Sequence, residues 1–254
     1  MTSCQLFESL ASATWCRVRD GYVYRVRQGE EGLSDWLLLD LVAANLPDVR
    51  IVKTNKKLEA TRGTDWEWWL GNLQTGWLRY AVQAKVIDVS TRRFDALNHK
   101  VNGTPQLDVL RKYARRQRAM PIYCLYSFVD PFPSPVPSCG FPSLLPDQYG
   151  CSVLPEATIR SAARKRGAKT FESLYRTGTL YPWRCLVCCP LFNPGSQASN
   201  PLRPPNANQS FLHEALPEWL ASALETPWQP TTPPSDLFPD GPAARFVVAS
   251  IAAA

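Results

Sequence analysis

Carboxylate and tryptophan alternate over one short stretch, Arg62-Gly63-Thr64-Asp65-Trp66-Glu67-Trp68-Trp69-Leu70, and an extended run, Tyr80-Ala81-Val82-Gln83-Ala84-Lys85-Val86-Ile87, follows a short loop later. Successive side chains of a strand point to opposite faces, so Asp65 and Glu67 share one side and Trp66 and Trp68 the other. Gln83 and Lys85 share a face by the same rule. The segment from Gly71 to Gly76 offers the turn of a hairpin. Paired in this way, the two runs set two carboxylates, an amide oxygen and an ammonium side by side, backed by tryptophan and valine. Such oxygen donors suit a hard divalent cation, Mg2+ or Mn2+, and a neighbouring lysine suits an attacking water or a charge developing on phosphate. Phosphodiester hydrolysis is the chemistry that asks for this set.

The flanking segments supply an order of elements. Cys4 to Arg19 places Leu6, Phe7, Leu10, Ala13 and Trp15 at a loose helical spacing, and a second helix follows, capped by Ser34 and ended by Asn45-Leu46-Pro47. Asp48 to Lys53 reads as a strand, and a basic connector holding Lys56 and Lys57 leads into the strand with Asp65. Gln106 to Ala119 reads as a helix with Leu107, Leu110 and Ala114 on one stripe, while Arg111, Lys112, Arg115, Arg116 and Arg118 crowd the rest. Those cations fit a phosphate backbone; a solvated helix face is the competing reading. Pro121 to Val129 is a continuous apolar run, the pattern of a strand buried on both faces. Trp66, Trp68, Trp69 and Trp77 read as core residues rather than base-stacking platforms.

Asp65, a second strand and then Gln83-Ala84-Lys85 resemble the core of the PD-(D/E)XK nuclease superfamily, the restriction-endonuclease-like fold, in its variant with glutamine in place of the second acid. Thr64-Asp65-Trp66-Glu67-Trp68-Trp69 followed by Val82-Gln83-Ala84-Lys85 also looks like a bacterial family of unknown function usually assigned to that superfamily. The resemblance covers roughly residues 20–130. It implies an α/β fold with an α-β-β-β-α-β core, a mixed central sheet flanked by helices, and Mg2+-dependent endonuclease activity. It further implies catalytic roles for Glu31, Asp65, Gln83 and Lys85, with Asp65, Gln83 and the backbone carbonyl of Ala84 on the ion and Glu31 at its water shell. A carboxylate that merely favours a helix amino terminus is the equal alternative for Glu31; Glu30 and Glu59 stand behind it. Glu67 and Gln106 are additional candidates, although Leu110 stands where the resemblance asks for tyrosine. Nucleases of this kind often act in defence against foreign DNA.

Composition narrows the setting. The chain has 254 residues, of which 45% are hydrophobic, enough for a sizeable core. Its 23 prolines gather after Asp130, which divides a core at 1–130 from a helical and irregular, Pro-rich extension at 131–254. That extension holds a second basic cluster, Arg160, Arg164, Lys165, Arg166 and Lys169, and a terminal strand over Phe246 to Ile251. A net charge of +6 leans toward a polyanion, so the expected partner is nucleic acid, DNA ahead of RNA, with a second copy of the chain or another protein beside it. Cys185 and Cys188 have zinc-ligand spacing, but no second pair accompanies them, and the cysteines read as reduced, buried thiols rather than a structural Zn2+ site. No signal pattern or apolar run of membrane-spanning length is seen, so a cytoplasmic location without a membrane partner is expected. The alternative function is a nucleic-acid-binding module of the same fold that has lost hydrolysis and acts within a larger assembly.

Overall fold

The computed structural model describes residues 1–46, 49–53, 64–101, 103–134, 145–164, 168–189, 192, 202, 211–225 and 245–250. Lys56, Lys57, Glu59, Lys165 and Arg166 lie outside the described residues. Helix α1 (Ser3–Val23) opens with a capping box: the Thr2 hydroxyl accepts from the Gln5 N–H, and the Gln5 side chain accepts from the Thr2 N–H. Its buried side, Leu6, Phe7, Leu10, Ala11, Thr14, Trp15 and Val18, has the period of a helix laid on a core. Helix α2 (Glu30–Ala43) starts four residues ahead of the expected cap. Glu30 and Glu31 in its first turn suit the positive end of the helix dipole. Ser34 therefore lies inside the helix, donating to the Glu30 carbonyl at 2.7 Å and hydrogen-bonded to the Tyr126 hydroxyl at 2.8 Å.

The strands of the main sheet are β1 (Val49–Lys53), β2 (Trp66–Asn72), β3 (Gly76–Val86), β4 (Met120–Tyr126), β5 (Cys151–Pro155), β6 (Tyr181–Pro182), β7 (Leu212–His213) and β8 (Arg245–Ser250); Lys100–Val101 and Thr104–Pro105 pair separately. Between and after them come the helices α3 (Gln106–Arg116), α4 (Glu156–Arg164), α5 (Phe171–Tyr175), α6 (Cys185–Cys188) and α7 (Glu218–Glu225). Among the described residues the eight strands form one mixed sheet in the order β1-β8-β2-β3-β4-β5-β6. The short β7 pairs with Trp77 and Leu78 of β3, ahead of Tyr80, where β4 begins its own pairing. Strands β2 and β3 are the expected antiparallel hairpin, and β4 runs parallel to β3 after the crossover through α3.

Trp66 sits opposite Val82 and Trp68 opposite Tyr80, so one face of the hairpin is aromatic and aliphatic. There Phe7 meets Trp68 edge-on at 5.9 Å between ring centroids, and Trp183 closes the cluster at 4.7 Å from Phe7 and 5.7 Å from Trp68. The other face carries Glu67, Arg79, Ala81, Gln83 and Lys85 and is met by α3. The hairpin thus has helices on both faces, and every tryptophan of the β2–β3 pair is buried.

Two expectations change. The boundary at residue 130 does not separate a core from an appendage, because β5, β6 and β8 belong to the same sheet as β3. The terminal strand forms, but it enters between β1 and β2, antiparallel to the first and parallel to the second. Apolar content identifies a strand without naming its neighbours, which hydrogen bonding across the sheet decides. The thiols are not all reduced either, since Cys4 and Cys188 are joined as a disulfide that ties the start of α1 to α6.

Helix α1 lies close on the 3-10 turn Pro146–Gly150. A Cβ on Gly150 would overlap the Ala11 carbonyl oxygen and stand 2.7 Å from the Trp15 nitrogen. Gly150→Ala is expected to cost at least about 3 kcal/mol, because backbone rather than a flexible side chain must yield. The check is a urea midpoint well below wild type at an unchanged slope; an equal midpoint would refute the close approach.

Candidate functional site

The hairpin delivers Asp65 to the strand end that carries Gln83, Ala84 and Lys85. The Asp65 N–H donates to the Val82 carbonyl at 2.8 Å, and the Thr64 hydroxyl donates to the carbonyls of Trp66 and Val82 at 2.8 and 2.9 Å. With the backbone held there, Asp65 Oδ2 accepts from Gln83 Nε2 and from the Ala84 N–H, each at 2.6 Å. Gln83 is fully buried, and among the described residues its Oε1 has no hydrogen-bond partner. Leaving such an acceptor unmade costs about 1–3 kcal/mol, and an unpaired buried oxygen in a polar site points to a missing partner. The donor set of Asp65 carboxylate, Gln83 amide and Ala84 carbonyl is all oxygen, which fits Mg2+. With its Nε2 donated to Asp65, Gln83 has its oxygen to offer a cation.

Lys85 is 2% exposed, and its Nζ donates to both Glu30 oxygens at 2.9 and 3.1 Å. Glu30, not Glu31, is therefore the α2 carboxylate at the site, and Glu31 is exposed to solvent. Consecutive helical residues point about 100° apart, so only one of the two can face the sheet. Which one does so depends on where the helix begins, and α2 begins at Glu30.

Glu67 has another task than the one expected of it. It shares the Asp65 face, but its carboxylate is bound on both oxygens by Arg79, at 2.8 Å from Nε and 3.1 Å from Nη2, and it also accepts from the Tyr113 hydroxyl. Arg79 Nη1 donates in turn to the carbonyl and the side-chain oxygen of Gln117. A fully buried carboxylate so engaged is not a metal ligand; it ties α3 to the hairpin.

Other residues come to the site through neighbouring strands. Tyr123 lies opposite Gln83 on β4 and is almost fully buried. Burial first, then the charges of Glu156 and Asp65, hold its phenol well above the ordinary value, so it remains a hydrogen-bond donor. Arg160 joins α4 to α3, donating to Glu156 at 2.8 Å and Asp108 at 2.9 Å. Tyr123 sits within an apolar run whose pattern gives no sign of a polar task; only its register with Gln83 does. Gln106 is the first residue of α3 and half-buried, with its Oε1 unpartnered among the described residues. Arg111, Lys112, Arg115, Arg116 and Arg118 are all exposed on α3 or just beyond it.

Glu67→Ala would strand Arg79 in the interior. A loss of about 3–5 kcal/mol is expected, measured as chemical unfolding of the variant against wild type; unchanged stability would return Glu67 to the list of ligands.

Among the described residues no three of His, Cys, Asp and Glu are grouped as a metal cluster, and no helix is long and apolar enough to cross a membrane. No curated protein matches the chain. A family model does match, over residues 3–250, and so takes in every strand of the sheet together with Asp65, Gln83 and Lys85. The chain belongs to that family, DUF6615, a family of unknown function.

Proposed function

We propose that this chain is a Mg2+-dependent nuclease that hydrolyses phosphodiester bonds of nucleic acid, DNA ahead of RNA, on a restriction-endonuclease-like core. The observation that carries the reading is the meeting of Asp65, Gln83 and Ala84 beside an unpaired, buried Gln83 Oε1, with the Lys85 ammonium on the same strand. The order α2, β1, β2, β3, α3, β4 supports the core, and β8 between β1 and β2 is an elaboration of it. Defence against foreign DNA is the setting that the resemblance suggests.

Asp65, Gln83 and the Ala84 carbonyl would hold the ion. Bound there, Mg2+ would supply Lewis acidity to the scissile phosphate and its attacking water. Lys85 stabilises charge that develops on the phosphate, and Glu30, bonded to its Nζ through both oxygens, keeps the side chain aimed. The five exposed cations on and beside α3 bind the nucleic-acid backbone. If each neutralises one phosphate, log affinity falls against log salt with a slope near −4 to −5.

A second reading keeps the fold and drops hydrolysis. One observation favours it: among the described residues the ligand set contains a single carboxylate, Asp65, because Glu67 is bound by Arg79 and Glu30 by Lys85.

Purified protein, Asp65→Ala and Lys85→Ala are to be incubated with plasmid, linear DNA and single-stranded RNA, each in magnesium, manganese or chelator. The nuclease reading expects metal-dependent cutting by wild type, a loss of at least about 100-fold in each variant, and DNA affinity within about twofold of wild type. Cutting that persists in Asp65→Ala removes that residue from the mechanism. Salt-sensitive binding without cutting under any condition selects the second reading.

A further inference from the structure

Beyond Lys85 the hairpin strand runs into a cleft. One wall is the last turn of α1, with Tyr22, and the connector to α2, with Arg25, Arg27 and Gln28; the other is the end of β3 and the residues after it, with Val86 and Asp88. Its volume is about 480 Å3, within the roughly 300–1,000 Å3 of small-ligand sites. The cleft and the Lys85–Glu30 pair share both supports, since Val86 follows Lys85 and Gln28 precedes Glu30 by two residues.

The wall chemistry is specific. Tyr22 and Val23 on the wall, and Tyr24 and Val26 beside them in the chain, each expose more than half of their surface, a run of apolar and aromatic side chains larger than a surface facing only water calls for. Arg25 and Arg27 are exposed among them. Arg25 adopts φ +58°, a left-handed conformation that an arginine rarely takes and that holds the connector turned. Asp88 is the one acidic group on the walls among the described residues. Its Oδ1 accepts from the Ser90 hydroxyl and from the N–H groups of Ser90 and Thr91, and those bonds, the Ser90 hydroxyl first, hold its carboxyl below the usual range. Aromatic and apolar faces, two guanidinium groups and one fixed carboxylate oppose a base, its phosphate and an exocyclic amine respectively.

We infer that this cleft receives one unpaired nucleotide of the substrate, its base against Tyr22, its phosphate held by Arg25 and Arg27, next to the strand end that carries Lys85. The assignment rests on the nuclease reading and narrows its substrate to nucleic acid with a single-stranded or extruded nucleotide at the cut. A base inside a perfect duplex cannot reach such a wall without leaving its stack.

The test compares wild type with Tyr22→Ala and with Arg25→Ala/Arg27→Ala, all in calcium to hold back cleavage. Labelled probes are a perfect duplex, the same duplex with one unpaired adenine, and a single strand. Wild type is expected to favour the unpaired and single-stranded probes. Each variant is expected to lose at least about tenfold on those two probes and less than about twofold on the perfect duplex, with an unchanged melting temperature. Equal losses on all probes, or no loss, overturn the cleft while leaving the nuclease standing if wild type cuts DNA in magnesium. No binding of any probe by wild type overturns both. A dimer in solution that Tyr24→Asp dissolves would assign the connector to a second copy of the chain and likewise overturn the cleft.

Discussion

The antiparallel pairing of β2 with β3 sets Trp66 against Val82 and Trp69 against Arg79, and so divides the hairpin's side chains between two faces with different work. A slip of one residue would exchange every side chain between faces, driving Gln83 and Lys85 into the aromatic cluster under α1. That slip is prevented from both sides. Phe7 and Trp183 fit only the face that carries Trp68, and Tyr113 and Gln117 fit only the face that carries Glu67 and Arg79.

Three ionised groups lie almost out of water in this small volume, and each is matched. Glu67 has Arg79, and Lys85 has Glu30 at the more exposed end of its pair. Burying a charge without a partner costs several kcal/mol, so these pairs hold the hairpin, α2 and α3 in one arrangement more than they add net stability. The polar site follows from the same constraint. Asp65 is gripped by the Ala84 N–H and by Gln83, which leaves Gln83 Oε1 a buried oxygen without a partner among the described residues.

Position along β3 orders the functions. The start of the strand pairs with β7, its middle binds α3 through Arg79, its end presents Gln83, Ala84 and Lys85, and the residues after it line the cleft. The exposed cations of α3 sit on the same support, because Tyr113 in the middle of that helix is bonded to Glu67. A polyanion gripped by α3 and a nucleotide seated in the cleft would thus both act on one rigid strand.

Much of this was legible along the chain. Alternation of Asp65, Trp66, Glu67 and Trp68 gave the strand and its two faces, since side-chain direction in a strand is a local property of the backbone. The stripe of Leu107, Leu110 and Ala114 gave the buried side of α3 for the corresponding helical reason. Tertiary structure decided the partners. Glu67 belongs to Arg79 and Tyr113, 12 and 46 residues away, Lys85 reaches Glu30 across 55 residues, and Cys4 meets Cys188 across 184. The place of β8 inside the sheet is of the same kind. Local periodicity states which way a side chain points; what waits there is set by chain segments that no local pattern connects, and for Glu30 against Glu31 the answer turned on a helix start four residues earlier than its cap signal suggested.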